Sequence, residues 1–198
     1  MLRAVDDAVA ALQQGLMVVV PTDTVYGLSA DPFHPGATER IFVAKQRPRD
    51  IELPVLVAEV EQALELCLVE ALPVAARRLM DRCWPGALTL VVPRRPGLAA
   101  DLGSDDTTVG LRRPAHPVVR QLCHRVGPLA VTSANVHGGA TPATADGVAA
   151  LFGDDVAVIV DGGVCAGAPS TVVDCTGPEP RLLREGAVPW TEVVAAAS

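Results

Sequence analysis

Leu16-Met17-Val18-Val19-Val20-Pro21-Thr22-Asp23-Thr24-Val25-Tyr26-Gly27-Leu28 is the stretch on which the fold turns. Apolar residues ending in three valines suit a short strand from Leu16 to Val20, and Pro21 stops it. Pro21 to Leu28 is then a turn rich in hydroxyls, with Gly27 permitting close backbone approach. On the N-terminal side, Val5, Ala8, Val9 and Leu12 recur at helical spacing and Gly15 ends the helix. Helix, strand and polar turn follow one another, and that unit repeats in kind along the chain.

Downstream, Ala37 to Lys45 reads as a helix and Val55 to Val57 as a strand. Helical stretches run from Val60 to Leu66 and from Pro73 onward. Leu88 to Val92 and Val109 to Leu111 are strands, and Pro117 opens a helix reaching Val126 before Gly127. Leu129 to Val131, Val156 to Val160 and Val172 to Val173 are further strands, with a helix from Thr144 to Phe152 among them. Alternation without a linker or repeat predicts one α/β domain over residues 1–198.

Composition narrows the function. Of 198 residues, 49% are apolar and 20% charged, which suits a large aliphatic core and argues against disorder. A net charge of −7 disfavours a general nucleic-acid coat but leaves room for a local cationic pocket. The five cysteines are odd in number and form no CxxC pair, which fits reduced thiols in the cytoplasm. Asp6 and Asp7 after Arg3 do not read as a signal peptide, and no apolar run approaches a membrane span.

Lys45 is the sole lysine beside fifteen arginines, and Tyr26 is the sole tyrosine. Lys45 and Arg47 diverge on a continuous helix and converge only if it ends between them, which Pro48 favours. A point charge and a guanidinium fork together suit a polyphosphate. A solvated charge pair at a helix end is the alternative. Thr132-Ser133-Ala134-Asn135 follows a strand directly and offers small hydrogen-bonding groups, or equally an ordinary polar turn. Arg112 and Arg113 lie on opposite faces of a strand, so at most one serves a pocket. His34, His116, His124 and His137 share no metal-ligand spacing. GxxxxGK[ST] and GxSxG are both absent.

Eight segments occur in the order found in the YrdC-like proteins: PTDTVYGL, KxR, WPGxLT, VxxRxP, TSAN, DGG, STVVD and LLRxG. The chain resembles that family over residues 5 to 188. The resemblance implies a twisted mixed sheet with helices packed on it around a central cavity. It also implies threonylcarbamoyl-AMP synthase activity, in which L-threonine, bicarbonate and ATP give threonylcarbamoyl-AMP and pyrophosphate. A separate tRNA threonylcarbamoyltransferase then uses the adenylate to make threonylcarbamoyladenosine in tRNA. By match to the family, Thr24, Arg112 and Ser170 contact threonine. Lys45, Arg47, Thr108, Ser133, Asn135, Thr141 and Arg184 contact ATP, and Lys45, Arg47, Ser133 and Asn135 form the catalytic set. Mg2+ is expected on the ATP phosphates, with no protein carboxylate cage. The expected setting is cytoplasmic, with weak tRNA contact and no DNA or membrane partner.

The match has departures. Ile51 stands where relatives place an ATP-contacting Asn or Lys, and Leu56 near a His that touches threonine. The chain is expected to be the short form without an extra C-terminal domain. Two other readings use the same motifs: a carbamoyl-adenylate enzyme with another acceptor, and an RNA-binding module without synthase activity.

Overall fold

A computed structural model describes residues 2–136 and 138–198, so His137 lies outside the described residues. The elements are α1 (Leu2–Gln13), β1 (Val18–Val20), β2 (Gly27–Ala30), α2 (Ala37–Lys45), β3 (Val55–Leu56), α3 (Val60–Leu64), α4 (Val74–Cys83), β4 (Leu88–Pro93), β5 (Thr108–Arg112), α5 (Pro117–Val126), β6 (Leu129–Ser133), α6 (Ala145–Phe152), β7 (Val158–Ile159), β8 (Thr171–Asp174), β9 (Arg181–Arg184) and α7 (Trp190–Ala197). The strands form one sheet in the order β7-β1-β2-β6-β3-β5-β4-β8-β9. Pairing is mixed: β1–β7, β3–β5 and β4–β8 are parallel, and the other neighbours antiparallel. This is the expected α/β class with a mixed sheet. No helix among the described residues is long and apolar enough to cross a membrane.

Three elements differ from the expectation. β2 was read as the end of a turn, because Gly-Leu-Ser-Ala has no β-branched residue. It is a fully buried strand nonetheless, paired on both sides by β1 and β6. β9 is Arg-Leu-Leu-Arg and lacks period-2 alternation, and a bulge at Val172/Val173 accompanies its pairing with β8. α7 was not foreseen either. It buries Val193 and Ala197, and Arg78 and Arg82 of α4 donate to its last carbonyls, where cations offset the helix dipole. The helix expected to Leu66 ends at Leu64.

Register sorts the side chains into two faces, because partners in a ladder point the same way. One face carries Val19, Leu28, Val55, Leu90, Leu111 and Val173, which pack with apolar residues of α2, α4, α6 and α7 in the larger core. The opposite face carries Val18, Val20, Leu56, Leu129 and Val131, covered by Val5, Ala8, Val9 and Leu12 of α1 and Val118, Val119 and Leu122 of α5. That cover spans the β7-to-β3 half alone. Over β5, β4, β8 and β9 the same face presents Thr108, Gly110, Arg112, Thr89, Val91, Val172 and Arg184 to a cavity. The half-covered face makes the site.

Candidate functional site

The cavity has a volume of about 470 Å³, within the range of small-molecule sites. Its walls are the turn after β1 (Thr22, Thr24 to Gly27), the strap from α2 to β3 (Arg47, Ile51, Glu52, Pro54), and Pro169, Ser170, Leu183 and Arg184. Gly27 is needed where the first wall meets β6. A Cβ there would lie 2.5 Å from Val131 Cγ1. The turn itself is fixed by Thr22, whose Oγ1 accepts from the amides of Thr24 and Val25 and donates to the Val25 carbonyl.

Arg112 lies at one end. Alternation along β5 aims it at the cavity and turns Arg113 away, to Ala58 O and the Glu59 carboxylate. Arg112 is 6% exposed. Its Nε donates to Gly86 O at 3.0 Å, Nη1 to Thr24 Oγ1 at 3.0 Å and Nη2 to Asp23 Oδ1 at 2.8 Å. Burial holds its pKa below the usual arginine value, and Asp23 acts against that shift. Ser170 Oγ sits nearby, 2.9 Å from Thr89 Oγ1, and Arg184 donates to the Ser170 carbonyl. Tyr26 closes this wall from behind: its hydroxyl donates to Gly163 O, and burial pushes its pKa up to about 12.

The other end is polar and cationic. Arg47 donates from Nε to Ile51 O and from Nη2 to Glu52 O, so its guanidinium is braced by its own strap. Thr108 Oγ1 donates to Asp105 Oδ2, and bonds from Thr107 and Thr108 hold the Asp105 carboxyl down to about 2. Burial lowers the pKa of both Arg47 and Arg184, and Arg184 adds to the lowering at Arg47. The half-buried Arg47 and the more exposed Arg184 repel, which an anion between them would relieve.

Lys45 behaves differently from the expectation. α2 does end between Lys45 and Arg47, with Gln46 in the left-handed region at φ 51°. The Lys45 ammonium, however, is taken up by the loop after β6 rather than presented to the cavity. Lys45 is 1% exposed, and Nζ donates to Ser133 O at 2.6 Å, Asn135 O at 2.5 Å and Asn135 Oδ1 at 3.1 Å. All three ammonium donors are thereby used. Asn135 Oδ1 also accepts from Ser133 Oγ at 2.5 Å, and Nδ2 donates to Val136 O and Gly139 O. The loop after β6 is wound around the lysine. Burial, with Arg47 nearby, brings the Lys45 pKa down to about 8.

Thr24, Arg47, Thr108, Arg112, Ser133, Ser170 and Arg184 thus line one cavity, whereas Lys45, Asn135 and Thr141 do not line it. Lys45 and Asn135 stand behind Ser133. Ile51 and Leu56 both line the cavity, so the two departures in sequence fall in the site itself. Thr22, Asp23, Glu52 and Asp105 were not singled out, though the hydroxyl-rich turn and the strap already contained them. His34, His116 and His124 do not line the cavity, and burial lowers the pKa of His116. Among the described residues, no group of three or more His, Cys, Asp or Glu could hold a metal ion.

Comparison with known proteins adds three relatives. The family described as "Telomere recombination", the Sua5/YciO/YrdC domain, matches residues 10–186. A Mycobacterium tuberculosis protein, provisionally named threonylcarbamoyl-AMP synthase, is 46% identical over 187 residues, covering 94% of this chain and 85% of its own. The Bacillus subtilis threonylcarbamoyl-AMP synthase is 39% identical over 191 residues, 95% of this chain and 55% of its own. The crystal structure of P. abyssi Sua5 complexed with L-threonine superimposes with a TM-score of 0.89 at 37% identity, covering 97% of this chain and 56% of that one. This chain thus spans about half the length of the last two.

Proposed function

The chain belongs to the Sua5/YciO/YrdC family, and on that footing we propose that it joins L-threonine, bicarbonate and ATP into threonylcarbamoyl-AMP with release of pyrophosphate. The observation that carries this reading is a single cavity lined by three arginines. Arg184 acts on both the buried Arg112 and Arg47, so the three guanidinium groups form one cationic lining.

Arg112 takes the α-carboxylate of threonine in this reading, and Thr24 and Ser170 stand beside it for the rest of the amino acid. Arg47, Thr108, Ser133 and Arg184 face the nucleotide, and Asn135, bonded to Lys45 and to the Ser133 hydroxyl, positions Ser133. The reaction brings a carbamate oxygen onto the α-phosphate, so two anions must meet. Guanidinium groups held along the cavity lower that barrier by charge stabilisation and positioning, without acid–base work by a histidine. Mg2+ enters with ATP as part of the substrate. The adenylate goes on to a separate tRNA threonylcarbamoyltransferase in the cytoplasm, and any tRNA contact by this chain is weak, given its net charge of −7.

The test is pyrophosphate release from ATP with threonine and bicarbonate each present or omitted. Release that requires both supports the reading. Release that needs bicarbonate but ignores threonine refutes threonine as the acceptor and points to Leu56, whose apolar side chain lines the cavity. No release from folded protein refutes the synthase.

A further inference from the structure

Thr89 lines the cavity without a part in the reaction as described so far. It precedes Leu90, whose partner on β5 is Leu111, so one step along the antiparallel ladder sets Thr89 opposite Arg112. On its other side Thr89 pairs with Val172 of β8, and Val172 with Arg184 of β9. Arg112, Thr89, Val172 and Arg184 thus form one row across the cavity floor, about 4.8 Å from strand to strand.

A hydroxyl pair occupies the middle of that row. Thr89 Oγ1 lies 2.9 Å from Ser170 Oγ, and the two residues are 4% and 8% exposed. Arg184 Nη2 donates to the Ser170 carbonyl at 2.8 Å and to Ser170 Oγ at 3.3 Å. Each hydroxyl carries a single hydrogen, and one of the two is spent within the pair. Among the described residues the other hydrogen has no acceptor, whichever hydroxyl holds it. Both side chains line the cavity, so the pair offers it one O–H donor with a lone pair alongside.

The group that answers this must be small, because Arg112 stands one strand away and takes an α-carboxylate in the synthase reading. A neutral hydroxyl would match the donor and the lone pair. The guanidinium groups on either side, close enough for Arg184 to act on Arg112, favour an anion instead. Bicarbonate has both properties: anionic oxygens for the donor and the guanidinium groups, and an O–H for the lone pair. It is also the reactant that has to stand beside the amino acid, since its carbon ends on the threonine nitrogen.

We propose that the Thr89–Ser170 hydroxyl pair, between Arg112 and Arg184, is the subsite that holds bicarbonate, with Thr89 as a binding residue of the reaction. The proposal deepens the synthase reading and rests on it for the identity of the oxyanion.

Steady-state pyrophosphate release, with bicarbonate, threonine and ATP varied in turn, tests it on wild type, Thr89→Val and Thr89→Ser. Valine keeps the shape and removes the hydroxyl. One lost hydrogen bond to a charged ligand predicts a KM for bicarbonate raised about 10-fold in Thr89→Val. The KM values for threonine and ATP should move less than about twofold, and Thr89→Ser should restore most of the loss. An unchanged bicarbonate KM overturns the proposal. An equal rise for threonine and bicarbonate would make the hydroxyl a structural prop, and a rise for threonine alone would give the pair to the threonine hydroxyl; either overturns it too. Should Thr89→Val fail to fold, Thr89→Cys decides, because a thiol of similar shape is a weaker donor. A rise confined to the bicarbonate KM then supports the subsite, and no rise overturns it. A wild type whose release ignores bicarbonate removes the subsite together with the synthase reading. A bicarbonate-dependent wild type with an indifferent Thr89→Val removes the subsite alone.

Discussion

Replacing Lys45 by methionine separates a structural clamp from a phosphate ligand. Methionine has similar length and no charge. In its place Asn135 O loses the Lys45 bond and has no other partner among the described residues, which costs about 1–3 kcal/mol for a buried carbonyl. Ser133 O keeps the amide of Asn135 and Asn135 Oδ1 keeps the Ser133 hydroxyl, so each loses about 1 kcal/mol. Removing a buried ammonium returns part of this, since burial disfavours its charged form. The net expectation is a ligand-free protein destabilised by about 2–4 kcal/mol. Urea unfolding without nucleotide measures it, and amide exchange at 135–139 should quicken in parallel. A variant with wild-type stability whose ATP affinity alone collapses would refute the clamp. Linkage gives a further check. A lysine whose folded pKa is near 8, below its ordinary 10.5, penalises folding while protonated, and that penalty fades as pH rises from 8 to 10.5. Wild-type stability should therefore gain on Lys45→Met across that window. A gap independent of pH would contradict the shift.

Three other outcomes are expected. Arg112→Ala should raise the KM for threonine more than that for ATP, and equal effects in steady-state kinetics would undo its assignment to the carboxylate. Asp105 is held near 2 by Thr107 and Thr108, below its ordinary 3.8, so its contribution is present above 3.8 and lost as pH falls towards 2. Acid unfolding of Asp105→Asn should therefore converge with wild type at low pH, and a constant gap would oppose this. Gly27→Ala should destabilise by about 1–3 kcal/mol, because its Cβ would press Val131 Cγ1 at 2.5 Å. Unchanged thermal unfolding would mean that β6 yields freely.

Strong local signals carried much of the fold. β1 and α5 were legible because a valine run and an amphipathic face bounded by Pro117 and Gly127 each speak for one element. β2 was not, since its strand character comes from neighbours on both sides rather than from Gly-Leu-Ser-Ala. Arg112 and Arg113 were separable by alternation alone, and the register then decided which of them faces the cavity. Lys45 was legible as a residue of interest but not in its contacts. A short sequence distance to Arg47 said nothing of Ser133 and Asn135, nearly ninety positions away. Asp23 was passed over for the same reason, as its partner comes from β5.

The half-covered sheet has a consequence for how this protein can change. One layer of backbone divides two duties: Leu90, Leu111 and Val173 answer to the larger core, while Thr89, Val91, Gly110, Arg112 and Val172, their neighbours in the chain, answer to the ligand. Ligand preference can thus be retuned along the second series while the first keeps the protein folded. Two adjacent codons on one strand are in this sense inherited under separate laws.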